Sequence, residues 1–163
     1  MRTSLTWKGR LMIYFKFKGE PVGKGRPRVT ARRGKGKDSA FYAHAYTPKR
    51  TKEFEDAIRF EFMASCCDKM PVYEKDVPVK VDMTFAFGVP KSYSRKKREQ
   101  CLLGNIQHTK KPDADNVAKA VLDALSGYAM EDDSQVTVLT MEKIYAEEPY
   151  VEVRIYPRDW QAE

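Results

Sequence analysis

The chain has little of what defines several protein classes. It contains only three cysteines in 163 residues, an odd number that makes no disulfide framework and suits a reducing compartment. Cys66 and Cys67 are adjacent and both histidines are distant from them in sequence, so the ligand spacing of a structural zinc site is missing. No run approaches the roughly 18 apolar residues of a transmembrane helix, and residues 1–9 lack the apolar core of a signal peptide. We therefore expect a soluble, cytoplasmic protein with no membrane association.

Positive charge is abundant, and it is concentrated in one segment. The chain has a formal net charge of +7. Residues 16–37 hold nine Lys or Arg residues and a single acid, Glu20, so this segment accounts for the whole excess. Its Gly-rich part, residues 19–36, includes two prolines and has no apolar period, which predicts a mobile loop and neither helix nor strand.

The flexible basic loop, about residues 19–45, has two interpretations. It is either an ordinary solvated loop or an arm that follows a polyanion, since lysines and arginines on a mobile backbone displace the counterions of nucleic acids. In the second interpretation, the residues expected to contact DNA phosphates are Lys24, Arg26, Arg28, Arg32, Arg33, Lys35 and Lys37.

Hydrophobic periodicity predicts six elements in the order β-α-β-α-β-β. The strands are expected at residues 11–17, 79–87, 135–145 and 150–156, and the helices at 49–65 and 113–126. The first helix carries an apolar stripe of Phe54, Ile58 and Phe62, and the second strand alternates so that every other residue faces inward. The pattern indicates one α+β domain over residues 1–163, with a mixed four-stranded sheet packed with two main helices.

Carboxylates are concentrated around the second helix. Asp113 and Asp115 open it, while Asp115, Lys119 and Asp123 recur every four residues and so share one face. A second acidic group, residues 131–133, follows the helix. Taken singly, these are an N-cap, an i,i+4 ion pair and an acidic turn. Taken together, they favour a divalent cation as the counterion, because hard cations prefer carboxylate oxygens. The spacing alone does not define whether the second acidic group reaches the helix start.

Two longer motifs resemble the RusA family of Holliday junction resolvases. Residues 112–119 (Pro-Asp-Ala-Asp-Asn-Val-Ala-Lys), with Asp-Ala-Leu at 123–125 and Glu-Asp-Asp-Ser-Gln-Val at 131–136, are similar to the family's acidic signature. Residues 19–28 and Ala-Tyr-Thr-Pro at 45–48 resemble its phage-type branch. The resemblance covers most of the chain and includes the order of elements.

The resemblance implies an enzyme of defined type. It implies a homodimeric, Mg²⁺-dependent endodeoxyribonuclease, with Mn²⁺ as a substitute, that cuts paired strands of four-way DNA junctions in recombination and repair, in a bacterial or phage-infected cell. Its metal-binding aspartates correspond to Asp113, Asp115 and Asp133, and its essential lysine corresponds to Lys119. Asp132 is the main alternative to Asp133 as the third ligand.

Three further residues are expected to support these groups. Asn116 and Asp123 would fix the lysine and the ligands, and Asp132 adjoins the third ligand. Asp123 is equally well explained as a simple ion-pair partner of Lys119.

Two other functions fit the same residues. One is a DNA-binding protein without catalysis, in which the acids are caps and ion pairs. The other is a nuclease of the same chemistry that acts on flaps, forks or other branched DNA.

Overall fold

The computed structural model describes residues 5–7, 10–26, 28–33, 41–65 and 70–159. A short 3₁₀ turn, Asp133–Gln135, precedes the sixth strand. The helices are α1 (Lys49–Ser65), α2 (Arg95–Leu102) and α3 (Ala114–Leu125). The strands are β1 (Leu5–Trp7), β2 (Arg10–Lys18), β3 (Arg28–Arg33), β4 (Phe41–Tyr46), β5 (Val79–Gly88), β6 (Val136–Ala146) and β7 (Tyr150–Pro157).

The centre of the fold is a mixed sheet with the strand order β1-β2-β7-β5-β6. β5 and β6 are parallel, whereas β2 and β5 each pair antiparallel with β7. The four strands β2, β7, β5 and β6 are those predicted from the sequence, and the short β1 extends the sheet beyond β2. The prediction of an α+β domain with a mixed four-stranded sheet is therefore confirmed. Among the described strands, β6 lies at the end of this sheet and has one edge without a partner.

Helices α1 and α3 share one hydrophobic core with the sheet. The predicted stripe of Phe54, Ile58 and Phe62 is buried, and Phe62 packs edge-to-face against Phe15 of β2 with ring centroids 6.1 Å apart. The alternating residues of β5 and the apolar face of α3 complete the same cluster, so the expected inward and outward faces are confirmed. Burial of this continuous apolar surface fixes the position of α3 over the sheet.

The prediction of a mobile loop at residues 19–36 is wrong for part of that segment. β3 and β4 form an antiparallel hairpin in which Arg28 pairs with Tyr46 and Arg33 pairs with Phe41. β3 has only two apolar residues, Val29 and Ala31, among basic and polar neighbours, so hydrophobic periodicity did not reveal it. Its hydrogen-bonding partner is β4, a separate aromatic segment, and a strand is defined by its partner as much as by its own residues.

Helix α2 was absent from the predicted order of elements. Ser94 caps its start by accepting a hydrogen bond from the Lys97 backbone N–H at 3.4 Å, and Cys101 is the one residue of the helix that is buried. A helix with so little buried surface shows almost no apolar period, which explains the omission. Within the described ranges, no helix is both long and apolar enough to cross a membrane.

Candidate functional site

The acidic motif lies at the N-terminal end of α3, called here the mouth of α3 (residues 112–116). Asp113 occupies the N-cap position, but its side chain makes no capping hydrogen bond. Its Oδ2 accepts a hydrogen bond from Asn116 Nδ2 at 3.4 Å, and Asp115 lies in the first turn. Both aspartates are exposed. The helix therefore leaves the carboxylate of Asp113 available to an external ligand.

The mouth of α3 is held in place from two sides. The Lys24 backbone N–H donates to the Asn116 carbonyl at 2.8 Å. From β6, Lys143 Nζ donates to the carbonyls of Lys110 and Pro112, the latter at 2.7 Å. No sequence pattern indicated a role for Lys143, because its partners are backbone carbonyls, which any residue carries.

Lys119 lies one turn beyond Asp115 and is exposed. Within the described part of the chain, Lys119 and Asp115 form no ion pair with each other or with another residue, so the i,i+4 interpretation of this pair is wrong. The ammonium of Lys119 and the carboxylate of Asp115 thus stand on the solvent side of α3, while Val117 and Val121 hold the opposite face in the core.

Asp123 was expected to fix Lys119 or to form an ion pair with it, but it contacts a different lysine. Its Oδ2 lies 2.5 Å from Lys24 Nζ, which also contacts Glu55 Oε1 at 2.6 Å. Burial opposes the charged form of this lysine, but the hydrogen bonds and charges of Asp123 and Glu55 outweigh it and raise the pKa of Lys24. Lys24 therefore joins α1 to α3. Its ammonium was expected to contact a DNA phosphate, but it is engaged by these two carboxylates instead.

Asp132 and Asp133 have different surroundings. Asp132 caps the 3₁₀ turn, because its Oδ1 accepts from the Ser134 backbone N–H at 2.9 Å. Hydrogen bonds from the Ser134 hydroxyl and from the Ser134 backbone N–H hold the pKa of Asp132 below its ordinary value. Gln135 completes the capping box, because its Oε1 accepts from the Asp132 backbone N–H at 3.3 Å. Asp133 is exposed at the first position of the turn. The geometry therefore favours Asp133 over Asp132 as a group available to a metal.

A single chain does not bring the three proposed ligands together. α3 has 12 residues and so spans about 18 Å, with Asp113 at one end and Asp133 beyond the other. β6 then runs back along the helix, so that Lys143, and not Asp133, reaches the mouth. Among the residues that the structure describes, no group of three or more His, Cys, Asp or Glu side chains is placed to hold a metal ion.

A groove of about 880 Å³ adjoins the mouth of α3. One wall is the segment 20–26 at the base of the β3–β4 hairpin, and the other walls are the first turn of α1 and the mouth itself. Three exposed basic side chains line it, Arg26, Arg50 and Lys111. We call it the strand groove. Of the predicted phosphate contacts, Lys24 and Arg26 line this groove.

The remaining predicted phosphate contacts lie on the hairpin or beyond the described residues. Arg28, Arg32 and Arg33 are in β3, whose backbone pairing is defined. Lys35 and Lys37 fall outside the described ranges.

Two glycines allow the wall of the strand groove to pack closely. A Cβ at Gly25 would lie 2.8 Å from Pro48 Cγ and 3.1 Å from Thr51 Oγ1, and the Gly25 N–H donates to that same Oγ1 at 3.2 Å. A Cβ at Gly23 would lie 3.0 Å from Pro112 Cβ. Both positions therefore favour glycine, which explains why Lys24 stands between two glycines.

Comparison with known proteins gives a consistent result. The family model described as Endodeoxyribonuclease RusA matches residues 18–156. The chain is also similar to a Bacillus subtilis (strain 168) protein named "Uncharacterized protein YqaN", with 39% identity over 145 residues, which cover 88% of this chain and 94% of the relative. The matched region includes the strand groove, the whole of α3 and the acidic turn that follows it.

Proposed function

Because the chain belongs to the RusA family of endodeoxyribonucleases, which resolve Holliday junctions, we propose that it is a Mg²⁺-dependent, homodimeric enzyme. It cuts paired strands of four-way DNA junctions by phosphodiester hydrolysis, in recombination and repair within a bacterial or phage-infected cell. The observation that carries this proposal is the exposed pair Asp113 and Asp115 at the mouth of α3, beside a groove lined by basic side chains.

The residues at the mouth of α3 suit a hard divalent cation. Asp113 and Asp115 offer exposed carboxylate oxygens, which Mg²⁺ and Mn²⁺ prefer, and Asp113 makes no capping bond that would compete. When bound, Mg²⁺ supplies Lewis acidity to a phosphoryl oxygen and lowers the pKa of the attacking water.

The other groups at the mouth have separate roles. Asn116 orients Asp113 through its side-chain hydrogen bond. Lys119 is a compact cation on the exposed face of α3, one turn from Asp115, where it stabilises negative charge on the phosphate undergoing hydrolysis. Lys143 fixes the backbone that leads into Asp113.

A homodimer supplies the third carboxylate. Within one chain Asp133 lies at the far end of α3 from Asp113, so a second copy is the natural source of this ligand. The outer edge of β6, which pairs with none of the described strands, supports such an arrangement. Antiparallel pairing of two β6 strands about a two-fold axis would place the beginning of one strand, next to Asp133, beside the end of the other, where Lys143 contacts Pro112.

The two-fold symmetry accounts for paired cuts. The dimer would have two identical composite sites, and each would combine the mouth of α3 from one chain with Asp133 of the partner subunit. These two sites would face two strands of equivalent geometry in a four-way junction. Recognition then depends on DNA shape and phosphates more than on base sequence.

A cleavage assay tests the function. A labelled four-way junction and a linear duplex of the same arm sequence are incubated with the protein in Mg²⁺ or in EDTA, alongside Asp115→Asn. We expect junction cleavage in Mg²⁺ alone, little cleavage of the duplex, and junction binding without cleavage by Asp115→Asn.

Asp56→Asn is the matched control. Asp56 is an exposed aspartate of α1 that pairs with Arg59 at 2.8 Å and lies outside the lining of the strand groove. This variant should cut at the wild-type rate. Absence of cleavage in Mg²⁺ would overturn the enzymatic proposal, and equal cleavage of the linear duplex would overturn the junction preference.

A further inference from the structure

We propose that the strand groove holds the DNA strand immediately beside the phosphate to be cut, and that Arg50 and Lys111 are phosphate-contacting residues. This inference rests on the proposed function and deepens it. It assigns a path for the substrate strand and two contacts that lie outside the basic segment recognised in the sequence.

The position of the groove carries the argument. Asp113 and Asn116 belong to its lining, so the groove opens directly onto the mouth of α3. Its volume of about 880 Å³ lies in the range typical of ligand sites, about 300–1,000 Å³. A DNA strand that presents a phosphate to Asp113 and Asp115 must extend away from these residues over the protein surface. The strand groove begins at Asp113 and offers such a path.

The charge of the groove suits a polyanion. Arg26, Arg50 and Lys111 are exposed, and none forms an ion pair with another residue in the described ranges. The acids in the lining are Glu20 and Asp113, and the latter is a proposed metal ligand. With a cation bound there, the positive charge of the groove is in clear excess.

Lys24 has a different function in the same groove. Its ammonium is engaged by Glu55 and Asp123 within the wall. It therefore neutralises two carboxylates that would otherwise repel a DNA strand, and it leaves phosphate contact to the exposed cations. Arg50 and Lys111 contact phosphates in its place. Arg50 lies in the first turn of α1, and Lys111 lies in the segment that leads into α3.

The walls of the groove are fixed relative to the acidic motif. The Lys24 N–H bonds the Asn116 carbonyl, and the Gly25 N–H bonds Thr51 Oγ1 in the first turn of α1. Gly23 packs against Pro112. A phosphate held by Arg50 or Lys111 is thus held at a constant distance from Asp113, which is what accurate placement of the neighbouring phosphate requires.

Two substitutions test the groove against a matched control. Arg50→Ala and Lys111→Ala each remove one groove cation, and Lys52→Ala removes an exposed cation from α1 outside the groove. Binding of a synthetic four-way junction is measured in Ca²⁺ at several salt concentrations. We expect each groove variant to weaken binding about 3- to 10-fold and to lower the salt slope by about 0.9, the value for one lost phosphate contact. Lys52→Ala should change affinity less than about twofold, as a charge that touches no phosphate does.

A second measurement links the residues to particular phosphates. Uncharged methylphosphonates are placed singly at the phosphates that flank the cleavage position. One of them should weaken binding by the wild-type protein but have little further effect on Arg50→Ala or Lys111→Ala. The inference is overturned if the groove variants bind like Lys52→Ala, or if every methylphosphonate penalises wild type and variants equally. Because wild-type cleavage in Mg²⁺ is recorded in the same preparations, failure of this inference is distinguishable from failure of the proposed function.

Discussion

Lys24 Nζ lies 2.5 Å from Asp123 Oδ2, so the base of the basic hairpin is joined to the helix that carries the acidic motif. Glu55 holds the same ammonium from α1 at 2.6 Å. The three side chains are largely buried, with Lys24 23% exposed, Glu55 14% and Asp123 31%. One lysine therefore connects segment 20–26, α1 and α3.

Loss of this connection should destabilise the fold. Lys24→Met retains most of the side-chain volume but leaves two carboxylates facing each other, and we expect a loss of about 1–3 kcal/mol in the free energy of unfolding. The check is urea-induced unfolding, with Lys49→Met as the control, because Lys49 forms a solvent-exposed ion pair with Glu53 that contributes little. Addition of Asp123→Asn to Lys24→Met should restore part of the lost stability. Equal effects of the Lys24 and Lys49 substitutions would contradict this account.

Asp132 and Asp133 should respond differently to the same substitution. Asparagine caps a helix about as well as aspartate, so Asp132→Asn should keep the 3₁₀ turn, the thermal stability and junction cleavage in Mg²⁺. Asp133→Asn should bind junctions normally but cut them only at background level, because it loses a proposed metal ligand. The junction cleavage rates of the two variants show which aspartate is the third metal ligand. Inactive Asp132→Asn together with active Asp133→Asn would reverse the assignment.

His108 should make stability depend on pH. Its ring stacks on Phe87 with centroids 4.0 Å apart, and burial, together with the charges of Lys143 and Lys110, lowers its pKa. Above a pH of about 6.5 the imidazole is neutral in both folded and unfolded chains. Below it, the unfolded chain binds the proton first, so stability falls as the pH approaches the folded-state pKa.

The comparison of wild type with His108→Gln isolates this contribution. Thermal unfolding is measured from pH 7.5 to pH 5, and the decline in melting temperature should be shallower in the variant, whatever its stability at pH 7.5. Parallel curves for the two proteins would contradict the assignment of the pH dependence to His108.

The parts of the fold that were predicted correctly are those with their own periodicity. β5 buries alternate residues and α3 buries one face, so each element can be predicted from its own residues. β3 has too few apolar residues to be recognised in this way, and its ladder depends on β4. The helix α2 lacked such periodicity because Cys101 alone is buried.

The candidate site divides in the same way. The acidic residues at the mouth of α3 were recognisable from spacing and from family resemblance, and Asp113 indeed begins that helix. The ion pair of Asp123 with Lys24 was not recognisable from the sequence. Lys24 is far from Asp123 along the chain and becomes its neighbour only through the packing of α1 and α3. Arg50 and Lys143 carried no motif, and tertiary structure alone places them beside Asp113. Lys111 is near Asp113 in the sequence, but its place in the groove depends on the packing of segment 20–26 and α1.

A mixed dimer of two inactive variants tests whether each acidic site is built from two subunits. Asp115→Asn and Asp133→Asn are co-expressed with different affinity tags, and the mixed dimer is isolated by sequential purification. Each homodimer has both sites damaged. In the mixed dimer, one site carries both substitutions and the other is intact, provided that Asp133 acts across the subunit boundary.

Four-way junction cleavage in Mg²⁺ is then compared among the three preparations. If Asp133 acts across the subunit boundary, the mixed dimer should nick the junction while both homodimers remain inactive. A mixed dimer as inactive as its parents would contradict this arrangement, because that result requires all three aspartates to act within one chain.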